Sequence, residues 1–219
     1  MDEAAIVIII LRLLIPLLIL RFPITGIGLA MLLDWQDHTY LGQYESYQVI
    51  DKWLDLYYLS ICAYVALSWK DAISRRLAIG LFWYRLIGVI AITIINLEWV
   101  LILFPNMFEA FFIFYILYAQ LSKSPKLFNT WKSITPVMIV LLIPKMAQEY
   151  VLHIHLPYPN LTPEWAARII ELPQILTLAP LVLLPVSVLI VYVISARKKL
   201  DLTKQFSDYP AGPSKSKVV

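Results

Sequence analysis

The chain has 219 residues, of which 60% are hydrophobic and 15% charged, with a formal net charge of +3 and a mean hydropathy of +0.74. Soluble globular domains carry about a quarter charged residues, so this balance excludes an ordinary water-soluble domain, and no nucleic-acid partner is expected. Apolar stretches of about 20 residues, enough to cross a bilayer, recur along the sequence. They predict an all-α, polytopic membrane helical bundle with six or seven transmembrane segments, one domain over residues 1–196, and a polar, disordered cytoplasmic tail over 197–219.

The N-terminus, MDEAAIVIIILRLLIPLLIL, lacks the positive leader and small-residue cleavage site of a signal peptide and is read as part of the folded chain. Residues 4–36 reach about 50 Å as a helix, short of two crossings of about 30 Å each. Pro16, Pro23, Gly26 and Gly28 favour a break there. A short hairpin and a single crossing followed by a half-helix both fit. Spans follow at 49–69, 77–97, 99–121, 134–152 and 173–195. Between Asn96 and Asn106 the chain must turn, and both NLEW and FPN supply the chemistry for it. Seven tryptophans and a 13% aromatic content suit anchoring at the lipid–water interface. The single cysteine, Cys62, excludes an internal disulfide.

Basic residues are distributed unevenly about these spans. With the loop 37–48 on one side, alternation gathers Lys70, Arg75, Arg76, Lys123, Lys126, Lys132 and the cluster Arg197-Lys198-Lys199 on the other, and leaves Lys52 and Arg168 behind. The positive-inside rule then puts the C-terminus in the cytoplasm of a plasma or inner membrane and the acidic loop 37–48 on the outer side. Carboxylates partition the opposite way. Asp34, Asp37, Glu45, Asp51, Asp55, Glu164 and Glu171 fall outside, as do His38, His153 and His155.

Asp34 and Asp37 are three residues apart, and Asp51 and Asp55 four. On helices each pair shares a face, where like charges repel. A neutralising cation removes the penalty, and oxygen-rich sets suit hard divalent ions, Mg²⁺ or Mn²⁺ before Zn²⁺. Asp34, Asp37, Asp51 and Asp55 are therefore the candidate metal ligands. The competing reading is a solvated acidic loop in which Asp51 favours a helix N-terminus. Lys52 is expected to point away from the Asp51–Asp55 face. His38, His153 and His155 form a weaker metal candidate set, beside a reading of the last two as interfacial residues with Tyr150 and Tyr158. Arg12, Arg85 and Lys145 lie inside apolar spans, where charges are costly and mark function. Glu98, Glu109 and Glu149 are their expected partners, with Lys145 and Glu149 sharing one helical face. Arg12 and Arg85 are the candidates for binding an anionic substrate. No glycine-rich phosphate loop, Ser-His-Asp order or CxxC motif is present.

Asp34-Trp-Gln-Asp37 and Asp51-Lys-Trp-Leu-Asp55, preceded by LRLLIPLLIL, resemble the paired aspartate motif of the CDP-alcohol phosphatidyltransferases over about residues 8–60. That resemblance implies a metal-dependent transfer of a lipid phosphate, with the four aspartates as ligands and Asp55 as the base that activates the acceptor hydroxyl. Several positions depart from the motif. His38 and Tyr47 stand at its two glycines, Leu41-Gly42 at its Ala-Arg, and the intervening stretch is four residues shorter. Two function classes follow: a metal-dependent enzyme acting on a lipid or lipid-linked phosphate at the outer face, and a non-enzymatic transporter, ion-handling or structural subunit. Membrane lipid is the expected partner of either, with a second copy or a membrane complex as a further one.

Overall fold

The computed structural model describes residues 3–41, 47–95, 97, 99–121, 130–150 and 189–190. The first apolar stretch breaks once. Helix α1, Glu3–Leu14, has Glu3 in its first turn and Arg12 in its last, both favourable to the helix dipole. Pro16 then removes an amide donor and crowds the preceding turn, and the chain tightens into a 3-10 segment, Ile15–Leu20. Amide N–H groups of Arg21 and Phe22 both donate to the Leu18 carbonyl, at 3.0 and 2.7 Å, and close the turn. Helix α2, Pro23–Leu41, starts on a proline and runs back. Residues 4–36 thus form a helical hairpin, the first of the two alternatives. Gly26 makes it possible, because a Cβ there would lie 2.4 Å from the backbone nitrogen of Ile19.

Helix α3, Tyr47–Leu67, and helix α4, Ala72–Ile95, pack against each other. Asp71 caps α4: its Oδ1 accepts the amides of Ile73 and Ser74 and its Oδ2 the Ser74 hydroxyl. The expected span 99–121 is not one helix. A four-residue helix α5, Val100–Leu103, is followed by Phe104-Pro105-Asn106 and then by α6, Met107–Leu121. Helix α4 ends at Ile95, and the chain breaks again at Pro105, where proline cannot continue a helix. Helix α7, Trp131–Tyr150, contains Pro136 and Pro144.

At the centre lies α6, which touches α2, α3, α4 and α7. Phe108, Phe111, Phe112, Phe114 and Ile116 are wholly enclosed, and Trp69, just after α3, stacks on Tyr115 at 3.8 Å between ring centroids. A helix that is apolar and buried all round is a core helix. The outer helices are arranged the other way about. Ile6, Ile10 and Leu13 of α1, Ile87, Ile90 and Ile94 of α4 and Ile139 and Ile143 of α7 face outward, while Arg12, Arg85 and Lys145 are buried.

Among the described residues the fold is all-helical, and two segments are long and apolar enough to cross a membrane: Glu3–Leu20 and Ala72–Ile95. Of the expected span 173–195 only residues 189–190 are described, and the tail 197–219 lies outside the described residues.

The hairpin depends on close contact at one glycine and not at its neighbour. Gly26→Ala is expected to lower the thermal midpoint of the purified protein, at a cost of about 1–3 kcal/mol from forced displacement of Ile19. Gly28→Ala, with nothing within 4 Å of the added carbon, should leave it unchanged or slightly raised. Equal behaviour of the two variants in the same melting assay would contradict the packing described.

Candidate functional site

The α1–α2 hairpin and α3 bring the two aspartate pairs to one place. Asp34 and Asp37 share a face of α2, Asp51 and Asp55 a face of α3, and Arg12 reaches between them from the last turn of α1. Its Nη1 donates to Asp37 Oδ2 and, at 2.8 Å, to Asp51 Oδ1. Its Nη2 donates to Asp34 Oδ1 and Asp55 Oδ1, both at 2.7 Å. A planar guanidinium with several fixed donors can serve four carboxylates at once, which a lysine ammonium does far less well. Arg12, Asp37, Asp51 and Asp55 are all buried, and Asp34, with its side chain 34% exposed, is the open member.

Two further side chains complete the centre. Tyr47 Oη donates to Asp37 Oδ1 at 2.7 Å. Lys52 Nζ lies 2.5 Å from Asp51 Oδ2 and 3.6 Å from Asp55 Oδ2. Lys52 therefore turns toward the Asp51–Asp55 face, contrary to expectation: its long, flexible stem lets the ammonium fold back over a face that its Cα does not share. Arg12 likewise pairs with the four aspartates rather than with Glu109 or Glu149. Among the described residues two cations face the four carboxylates, so with all four acids ionised a formal charge of −2 remains (−4 from Asp34, Asp37, Asp51 and Asp55, +2 from Arg12 and Lys52).

The centre is set inside the bundle. Ala5 near the start of α1 packs with Leu41 and Tyr47, which flank residues 42–46. Arg12 is about 10 Å further along α1 from Ala5, and Asp51 and Asp55 about 6 and about 12 Å along α3 from Tyr47. Oxygens of Asp34, Asp37 and Asp51 approach within 4.8 Å of one another. Ligand oxygens around one Mg²⁺, Mn²⁺ or Ca²⁺ ion are separated by at most about 4–5 Å. In atom type and spacing the set fits a hard divalent ion, and all three of its carboxylates are also engaged by Arg12.

No protein family, curated protein or solved structure matches the chain.

The remaining candidates are dispersed. Arg85 is buried in α4 and its Nη1 donates to the Phe104 carbonyl at 2.8 Å, with no bond to the four aspartates. Lys145 Nζ and Glu149 Oε1 of α7 pair at 3.4 Å, as their spacing suggested. The side chain of His38, and His153, His155 and Glu98 entirely, lie outside the described residues.

Sequence reasoning passed over a second polar group at the break before α6. Tyr58 Oη and Asn106 Nδ2 both donate to Glu109 Oε2, at 2.5 and 2.7 Å, and the Asn106 amide N–H donates to Glu149. Asn106 Oδ1 also accepts the Glu109 amide. The signal was available in Pro105-Asn106 followed by Glu109, an N-cap pattern at the start of a helix. It was obscured because the whole stretch is apolar enough to pass for a single span.

Removing one partner of a buried ionic group leaves uncompensated charge at a cost of about 3–5 kcal/mol. Arg12→Gln is accordingly expected to lower the thermal midpoint sharply, and adding Asp37→Asn should recover part of the loss, because one of the repelling carboxylates is then neutral. A single variant melting with wild type, or a double variant less stable than the single, would show that the guanidinium does not hold these acids.

Proposed function

We propose that this chain is a multi-pass integral membrane protein, crossing six or seven times, whose four-aspartate centre binds a divalent cation and serves the transfer of a lipid-linked phosphate at the outer face. The observation that carries the reading is the meeting of four carboxylates from two helices with only two cations among the described residues, which with all four acids ionised leaves a formal charge of −2. Uncompensated charge at that depth is expensive, and one Mg²⁺ or Mn²⁺ balances it. The inversion of polarity, with isoleucines outward and Arg12, Arg85 and Lys145 inward, supports a lipid surround, and the uneven distribution of basic residues supports a cytoplasmic C-terminus.

In this reading Asp34, Asp37 and Asp51 hold the ion, which when bound supplies charge neutralisation to a phosphoryl group. Asp55 stands beside them on α3, paired with Arg12 at 2.7 Å and with Lys52 at 3.6 Å. It accepts the proton of the acceptor hydroxyl as that oxygen attacks phosphorus, and the bond to the leaving phosphate breaks with its electron pair on the departing oxygen. Arg12 positions the carboxylates, and Tyr47 fixes the Asp37 carboxylate from its second oxygen.

One observation favours a second reading, a non-enzymatic transporter, ion-handling or structural subunit. Arg12 already engages all four aspartates, so the same group can act purely as an ionic tie between α1, α2 and α3. Metal-dependent stabilisation separates the two. Mg²⁺ or Mn²⁺ is expected to raise the thermal midpoint of the wild-type protein by several degrees and to have no effect on Asp51→Asn, which still inserts normally. Indifference of the wild type to every divalent ion would favour the ionic tie. The orientation has its own check: in a Cys62→Ser background, cysteine introduced at Gln43 should react with an impermeant reagent added outside intact cells, and labelling confined to the inside would reverse it.

A further inference from the structure

Two arginines lie buried within the apolar helices, and they are treated very differently. Arg12 is met by four carboxylates. Arg85, equally buried at 3% exposure, forms no ion pair among the described residues. Its Nη1 reaches the carbonyl of Phe104, and its Nε has no hydrogen-bond partner. One backbone carbonyl does not balance a full charge in a low-dielectric interior, where the desolvation of an ion costs several kcal/mol. A buried guanidinium is tolerated when an anion meets it, and its fork of donors matches the oxygens of a carboxylate or phosphate.

The carboxylates near the helix break are engaged elsewhere. Glu109 accepts from Tyr58 and Asn106, and Glu149 accepts from the Asn106 amide and pairs with Lys145. The surroundings of Arg85 hold it in place. Tyr84 Oη donates to the Leu103 carbonyl beside it, and Gly88, one turn on, admits Phe104 so closely that a Cβ would lie 2.4 Å from the phenylalanine Cβ. Its level in the bundle follows from the α3–α4 hairpin. Asp55 lies about 18 Å before the end of α3 and Arg85 about 20 Å after the start of α4, so the two are at similar depth on packed, antiparallel helices.

We infer that Arg85 is an anion-recognition residue that binds the oxyanion of a phosphate group presented beside the four-aspartate centre. The inference rests on the proposed phosphate chemistry of that centre for its ligand class and on the unpaired guanidinium for its location. It gives the centre a division of labour: the aspartates take the cation, and Arg85 takes the negative charge of the substrate.

The test uses the full chain, purified and placed in phosphatidylcholine nanodiscs, with the thermal midpoint as readout. Inorganic phosphate is added in one arm, with chloride at matched ionic strength as control, and phosphatidic acid is included at rising mole fraction in the other. A midpoint rising by several degrees in either arm is expected. A response to both probes identifies a phosphate oxyanion reached from water, and a response to phosphatidic acid alone identifies a lipid headgroup. Arg85→Gln should abolish the shift. Arg85→Lys, which keeps the charge and guards against a variant that fails to fold, should weaken the apparent affinity about tenfold by removing the bidentate fork.

Asp51→Asn should keep the phosphate response while losing that to Mn²⁺. Loss of the Mn²⁺ response in the wild type would remove the cation reading alone. Wild-type protein unmoved by both phosphate probes, or moved equally in Arg85→Gln, would overturn this inference alone. Glu98→Gln supplies the remaining control: if it lowers the basal midpoint as far as Arg85→Gln does and neither probe shifts the wild type, Glu98 is the counter-ion and no ligand is required.

Discussion

Everything about the first three helices depends on one guanidinium. Four carboxylates at one point repel, and in an apolar bundle water does not screen them. Arg12 converts that repulsion into cohesion by donating to all four from a single planar group. The geometry imposes requirements elsewhere in the chain. The helical stretch must break before Leu20 so that α2 can return along α1, and α2 must approach the 3-10 segment closely enough for Asp34 and Asp37 to come within reach. Pro16 and Gly26 meet these requirements, one by disrupting a helix and the other by having no side chain where Ile19 passes.

The same physics orders the second half of the structure. Where Pro105 interrupts the helix, the backbone groups freed by the break need partners, and they find them in side chains from other helices: Tyr84 and Arg85 on the carbonyls of Leu103 and Phe104, and Glu149 on the amide of Asn106. Irregular backbone inside an apolar bundle is tolerated only when it is satisfied in this way. With the break closed off, α6 carries an almost unbroken set of phenylalanines through the middle of the molecule. Apart from the Asp71–Ser74 cap of α4, the buried polar side chains among the described residues thus fall into two interior centres, and isoleucine and leucine take many of the outward positions.

How far the site could be read in advance differs residue by residue. The pairing of Asp34 with Asp37 and of Asp51 with Asp55 follows from helical spacing, and Lys145 with Glu149 follows in the same way, because residues three or four apart on one helix are neighbours whatever the fold. The grouping of both pairs in one candidate site also follows from the sequence, whereas the choice of Arg12 as their partner does not. Arg12 is separated from Asp55 by 43 positions in sequence, and its glutamate candidates were equally plausible by composition. For Lys52 the direction of the Cα is a poor guide, because its flexible stem carries the ammonium back to the Asp51–Asp55 face. Tyr47 and Tyr58 carry no comparable signal, because a tyrosine near a membrane helix end has an ordinary role as an interfacial anchor.

Composition and local spacing settled the class of molecule: an apolar, helical chain with its acids concentrated before and after residues 42–46. These properties are local, since hydropathy and helical periodicity depend on residues within a turn or two of each other. Where the helices stop, which charges meet, and which arginine is matched and which is not were decided only when α1, α2, α3 and α4 packed. The reason is that electrostatic compensation in a low-dielectric interior acts through space, over distances that bear no relation to separation along the chain.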